Sequence, residues 1–253
     1  MIRIRHLGTA ALGALVTLLA LLPSSAVTFA DVSGAATGAP SPPPCRPLPS
    51  PANFVATVDN PYLPFIPGTV LRYSGKKDNE VQHTVVEVTH DIKVILGINT
   101  TVVHDNVSAQ GQLVEKTDDW YAQDKDGNVW YMGEDSKELK NGKVISTQGS
   151  WEAGVNGAQA GIIMEAHPNV GDVYSQECAP GVAQDTAQVV NLDASVRVPA
   201  GTYQHALITR EWTPLEPTVL ENKWYGQGVG DVKAQDVRGG NESSKLLAVV
   251  PGS

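Results

Sequence analysis

The run Asp119-Trp120-Tyr121-Ala122-Gln123-Asp124-Lys125-Asp126-Gly127-Asn128-Val129-Trp130-Tyr131 decides the fold. Two aromatic-rich stretches flank Asp126-Gly127, a pair that tolerates the positive φ of a tight hairpin turn. Asp124 to Asn128 has a faint likeness to a calcium loop, but the EF-hand spacing puts its glycine at position six and Gly127 falls too early. A hairpin accounts for these residues better. Working outward, the same punctuation recurs at Asp78-Asn79, Gly97, Gln110-Gly111, Asn141-Gly142, Gly201, Gly230 and Gly239-Gly240. Residues 81–89 and 93–107 are rich in β-branched side chains. No stretch from residue 53 onward keeps a helical period with caps. Closely spaced hairpins make antiparallel meanders, so the chain reads as all-β.

A second copy of the pattern follows about a hundred residues later. Gly68 matches Gly171 and Val85 matches Gln188, 103 residues on; Gly97 matches Gly201 and Trp120-Tyr121 matches Trp224-Tyr225, 104 on; Gly127 matches Gly230, 103 on. The expected architecture is two tandem antiparallel meanders forming a curved sheet, a half-barrel or a sandwich. The divisions are a signal peptide over 1–30, a Pro-rich linker over 31–52, a first β repeat over 53–149, a connecting segment over 150–169 and a second β repeat over 170–253.

Val198-Pro199-Ala200-Gly201-Thr202-Tyr203, then Trp224-Tyr225 and Gly228-Val229-Gly230-Asp231-Val232, resembles a group of uncharacterised exported bacterial β-rich proteins. In that group a "VPAGTF" turn joins two strands and a "YAxGVGxV" strand follows. Asn60-Pro61-Tyr62, Pro67-Gly68 and Asn128-Val129-Trp130-Tyr131 look like a narrower secreted subgroup. The resemblance implies a curved antiparallel sheet and carries no activity with it. In the first copy Ile95-Leu96-Gly97-Ile98 stands where the second has Pro199-Ala200-Gly201-Thr202, so the copies diverge at that turn.

Arg3 and Arg5, an apolar run over 10–22 and small residues around Ala26 and Ala30 give the order of a secretory signal. Cleavage after Ala26 or Ala30 fits. The apolar run is short of the ~20 residues a membrane span needs, and none follows it. The expected location is secreted, extracellular or periplasmic. The formal net charge is −9 from 18 basic and 27 acidic residues. An acidic chain with no basic cluster excludes nucleic acid as a partner class. Oligomeric state stays open. Export puts Cys45 and Cys178 where a disulfide between them persists.

The aromatic pairs are the candidate ligand contacts: Trp120, Tyr121, Trp130, Trp151, Trp224 and Tyr225. Alternation on a strand sends one ring of each pair to the core and the other outward or into a cavity, where it can stack on a sugar or an apolar ligand. Acid–base candidates are Glu165 with His167 in the long irregular stretch, together with Glu134 and Asp119. No H-x-H or H-E-x-x-H pattern occurs, no nucleophile elbow and no phosphate loop, so neither metal nor cofactor is expected. The functional expectation is a secreted binding protein with an aromatic-lined cleft for a lipid-like or carbohydrate ligand. The alternatives are a hydrolase or lyase acting on a polymer through carboxylates and His167, or a structural module of the envelope.

Overall fold

The computed structural model describes residues 41–252. The signal sequence and the first ten residues of the expected linker lie outside the described residues. The strands are β1 (Phe54–Val55), β2 (Val70–Lys77), β3 (Glu80–Ile95), β4 (Ile98–Ala109), β5 (Gln112–Asp124), β6 (Val129–Lys140), β7 (Lys143–Ser146), β8 (Trp151–Glu152), β9 (Gln159–Met164), β10 (Val173–Ser175), β11 (Glu177–Cys178), β12 (Thr186–Val198), β13 (Gly201–Trp212), β14 (Leu220–Gly226), β15 (Gly230–Arg238) and β16 (Ser243–Val250). All belong to one antiparallel sheet, with no α-helix among the described residues. The order is β10-β12-β13-β14-β15-β16-β2-β3-β4-β5-β6-β9-β11, with β1 on β5 and β7 and β8 on β6.

Of the shapes left open by the sequence, the chain takes the curved one: the sheet rolls into a nearly closed barrel. Its two edges are consecutive pieces of a single run. β10 pairs with β12, and one residue later β11 pairs with β9 at the other end of the order. Gln176, between them, donates its backbone N–H to Asp185 O at 2.7 Å. The run crosses the seam because Gly161 has no side chain: a Cβ there would lie 2.2 Å from Gln176 O. Rolling the sheet removes edges that would otherwise offer unpaired N–H and C=O groups to other chains.

The two meanders join where β16 lies along β2, from Ser243 opposite Lys76 to Val250 opposite Val70. Each meander opens on the same clasp. Gly68 N–H donates to Val88 O at 2.7 Å and Val88 N–H returns to Thr69 O at 2.9 Å; Gly171 N–H donates to Val189 O at 2.8 Å and Val189 N–H returns to Asp172 O at 2.9 Å. Inside, alternate residues of the strands and the loop carrying Val58, Leu63 and Phe65 form one continuous apolar core. Tyr73, Tyr121, Tyr131 and Tyr225 are among its largest fully buried side chains. Each contributes roughly 1.5–3 kcal/mol by burial alone, on the scale of a large apolar side chain.

Two expectations need correction. The Pro-rich stretch from Pro43 onward is not a free linker. Pro43 O accepts from Ser175 Oγ at 2.8 Å, Arg46 pairs with Glu165 at 3.0 Å, Leu48 packs against the core, and Cys45 is joined to Cys178. Proline denies a segment its place inside a sheet but not its place as a strap across one. The connecting segment is likewise not irregular throughout. β8 and β9 lie in it, and Ile162, Ile163 and Met164 are buried.

The disulfide closes a loop of sequence separation 133 and ties the strap to the seam. Such bonds persist outside the reducing cytoplasm, which gives the chain a secreted or envelope location. The double variant Cys45→Ser/Cys178→Ser is expected to lose about 2–4 kcal/mol of stability. Urea unfolding of oxidised wild type and variant measures it, and equal midpoints would show that the strap holds without the bond.

Candidate functional site

β5 and β6 carry the polar centre of the barrel. Asp119 lies opposite Glu134, and Tyr121 lies opposite Tyr131. Glu134 lies three positions after Tyr131, so regular alternation would send them to opposite faces. A bulge between these two pairs corrects this: Trp120 faces Gly133, Tyr121 faces Tyr131, and Met132 is skipped. Gly133 is at φ +132°, and a Cβ on it would meet Trp151 O at 2.3 Å. Only glycine lets β8 close over the bulge, setting Trp151 directly beside Glu134.

The result is a cleft of about 380 Å³. Trp120, Trp151, Val155, Ala158, Ala179, Pro180 and Val182 form its apolar walls, and Lys93, Glu134, Asp135, Ser150, Glu152 and Asn156 its polar ones. Lys93 Nζ sits 3.2 Å from the centre of the Trp120 ring and 2.6 Å from Glu152 Oε2. Asp135 pairs with Lys137 at 2.5 Å. The cleft wall is pinned at the seam, because Ala179 and Pro180 follow Cys178 directly.

Behind the cleft, aromatic rings run into the barrel. Trp151 meets Tyr131 edge-on at 5.4 Å, Tyr131 stacks on Tyr121 at 4.7 Å, and Tyr121 stacks on Phe65 at 4.4 Å. Beside them stand Asp119, Glu134 and Glu177, each buried. Burial pushes all three carboxyls well above their usual range. Asp119 and Glu177 raise Glu134 further, and Asp185 raises Glu177. Tyr131 O–H donates to Asp119 Oδ1 at 2.5 Å and opposes the shift there without reversing it. Burial thus favours the neutral form of each acid, which can donate as well as accept. Glu134 Oε1 has no hydrogen-bond partner in the protein. Among the described residues no group of three or more His, Cys, Asp or Glu side chains is arranged to hold a metal ion.

The second meander solves the same problem differently. One residue before its Trp-Tyr pair stands Lys223, where the first meander has Asp119. Lys223 Nζ reaches Glu211 Oε2 at 2.6 Å and Glu221 at 3.6 Å. Burial alone would lower the lysine pKa; Glu211 and Glu221 outweigh it and raise it instead. Tyr225 O–H donates to Glu211 Oε1 at 3.2 Å and Thr209 Oγ1 does so at 2.6 Å.

The sequence-predicted ligand residues divide accordingly. Trp120 and Trp151 line the cleft. Tyr121 is wholly buried behind it. Trp130 lies in the core against Phe54, its Nε1–H donating to Asp124 Oδ2 at 2.8 Å. Trp224 is half-buried under Lys233, at 4.1 Å, and Tyr225 belongs to the Glu211–Lys223 cluster. Of the acid candidates, Glu134 lines the cleft and Asp119 stands behind it. Glu165 and His167 are not part of it. Glu165 anchors Arg46 of the strap, and His167 is exposed. Glu152 and Glu177 stand among the carboxylates the sequence offers for acid–base work, and Glu152 lines the cleft. The sequence reading passed over Lys93, which no motif or spacing marks.

No family model and no curated protein matches the chain. Two solved structures are similar to it over 75% of its length. One is a protein from Bacteroides fragilis with a YmcC-like fold, proposed to be exported, at 15% identity and TM-score 0.45, with 99% of that chain covered. The other is a proposed lipoprotein from Parabacteroides distasonis, at 12% identity and TM-score 0.43, with 98% covered. Both likenesses are loose.

Proposed function

We propose that this is a binding protein of the secreted or envelope compartment, and that it takes a carbohydrate in the cleft between Trp120 and Trp151. One observation carries the reading: two indole rings share a 380 Å³ cleft with Glu134, whose buried Oε1 has no partner. Indole faces suit the apolar face of a sugar ring, and a neutral carboxyl suits its hydroxyl edge. A lipid-like ligand fits less well. The cavity inside the barrel, between Phe65, Tyr73, Val103 and Tyr121, is only about 20 Å³. On that measure about 10–15 Å³ holds one water, so the cavity has room for a single water and not for an acyl chain.

Hydrolysis would need an acid and a second carboxylate facing it across the bound sugar. Glu134 suits the first role, but Asp135 and Glu152 are each held by a lysine, Lys137 and Lys93. The test is calorimetry against a panel of neutral and amino-substituted oligosaccharides, with released reducing ends assayed in parallel. Saturable binding without new reducing ends is the expected result. New reducing ends would make the protein an enzyme; no binding to any glycan would end the carbohydrate reading.

A further inference from the structure

We propose, building on the carbohydrate reading, that the cleft is specific for the ammonium group of an amino sugar, an unacetylated hexosamine within a glycan. The cleft already holds an ammonium. Lys93 Nζ rests on the Trp120 ring at 3.2 Å and on Glu152 at 2.6 Å, the combination of aromatic face and carboxylate that stabilises a cation. Glu134 supplies a second acid in the same wall, 3% exposed, with Oε1 unpartnered. The groups facing Glu134 are Asp119 and Glu115 from β5, Tyr131 from β6, Trp151 from β8 and Glu177 from β11. None is a base. Lys93 is the sole cation among the residues lining the cleft, against three acids.

The barrel itself provides the comparison. In the second meander the residue before the Trp-Tyr pair is Lys223, and its ammonium is enclosed by Glu211 and Glu221 with Tyr225 alongside. There the chain provides the cation. In the first meander the residue at that place is Asp119, held by the Tyr131 hydroxyl, and Glu134 Oε1 beside it has no partner. A ligand ammonium would supply one. A ring that carries a hydroxylated edge, an apolar face and one ammonium meets Glu134 and the indoles together.

Arrival of an ammonium next to neutral Glu134 favours the carboxylate, so Glu134 gives up its proton to the buffer as the ion pair forms. Binding and proton release are therefore coupled. Lys93 is a built-in competitor, and its removal frees Trp120 and Glu152.

The test is isothermal titration calorimetry of the oxidised protein with a glucosamine trimer, its N-acetylated counterpart, maltotriose and spermidine, in buffers of differing ionisation enthalpy. The glucosamine trimer is expected to bind, with the acetylated and neutral trimers weaker by about tenfold or more, on the scale of one lost ion pair or cation–π contact. About one proton should be released per ligand. Glu134→Gln should weaken binding about tenfold and abolish that release, while Lys93→Gln should strengthen it about tenfold. Glutamine keeps the shape of neutral Glu134, so a loss of binding there is not a loss of fold; thermal unfolding of the variant checks this. If acetylated and neutral trimers bind as well as the amine, the ammonium inference fails and the carbohydrate reading stands. If spermidine binds and no sugar does, the carbohydrate reading and this inference fail together. Weaker binding by Lys93→Gln would also overturn it, since Lys93 would then be a ligand contact and not a competitor.

Discussion

Stability is expected to fall as the pH rises from about 5 to about 8, and Glu134→Gln is expected to remove a large part of that fall. The cause is the buried set Asp119, Glu134 and Glu177, whose carboxyls burial holds well above their usual range. Below the unfolded-state value near 4.5 for glutamate, folded and unfolded chains are both protonated, and this set costs nothing in ionisation. Above it the unfolded chain releases its protons to water and the folded chain does not. The unfolded state then binds fewer protons, and each acid lowers stability by about 1.4 kcal/mol per pH unit until its folded pKa is passed. The three interact, so their effects do not simply add. A loss of a few kcal/mol overall corresponds to a Tm about 5–15 °C lower at the alkaline end. Glutamine cannot ionise and keeps the volume. Glu134→Gln should thus raise stability by about 1–3 kcal/mol at pH 8 and change little at pH 5. Scanning calorimetry across that range decides it. A Tm that is flat or rises with pH would mean that these carboxyls are ionised in the folded protein.

Such a cluster is a cost that packing does not explain. Asp119 and Glu134 are direct cross-strand partners, an arrangement that is destabilising when both are charged. Buried acids with raised pKa values beside a cleft are functional-site candidates. Lys223, one residue before Trp224-Tyr225, by contrast forms a buried ion pair with Glu211.

The strands were legible because hairpin chemistry is local. Asp126-Gly127, Asn141-Gly142 and Gln110-Gly111 each turn the chain between paired strands. Closure was not legible, since it depends on Val173–Ser175 and Glu177–Cys178 pairing with opposite ends of the sheet, through runs too short to show a period. β9 was missed for a related reason. Ala160, Gly161, Ile162, Ile163 and Met164 are all buried, so they lack the alternation that marks a half-exposed strand. At the site, Trp120, Trp151 and Glu134 could be named from residue type. Their convergence could not, because it rests on the bulge at Gly133. Trp130 looked equivalent to Trp120 in sequence, but its Nε1–H has Asp124 as a partner and its ring belongs to the core. Glu165 and His167 drew attention by lying in a loop. The strap explains Glu165, through a long-range contact with Arg46 that no spacing announces.

Lys223→Met is expected to be the most damaging single substitution in the second meander, costing about 3–5 kcal/mol at pH 8. Lys223 is 2% exposed and reaches Glu211 at 2.6 Å. Methionine keeps the length of the stem but leaves Glu211 and Glu221 without their lysine. The hydroxyls of Thr209 and Tyr225 still reach Glu211 but bring no counter-charge. Adding Glu211→Gln should recover much of the loss, since removing both charges of a buried pair costs far less than removing one. A penalty below about 1 kcal/mol for Lys223→Met, as for a solvated surface pair, would show that water reaches this lysine. The two clusters also meet. Lys223 favours the ionised form of Glu177 across the seam, against burial and Asp185. Without Lys223, Glu177 should bind its proton more tightly, so the substitution should make the carboxyl set behind the Trp151 cleft harder to ionise as well. Calorimetry of Lys223→Met, Glu134→Gln and the double variant separates the two contributions: strict additivity would mean that the seam does not couple them.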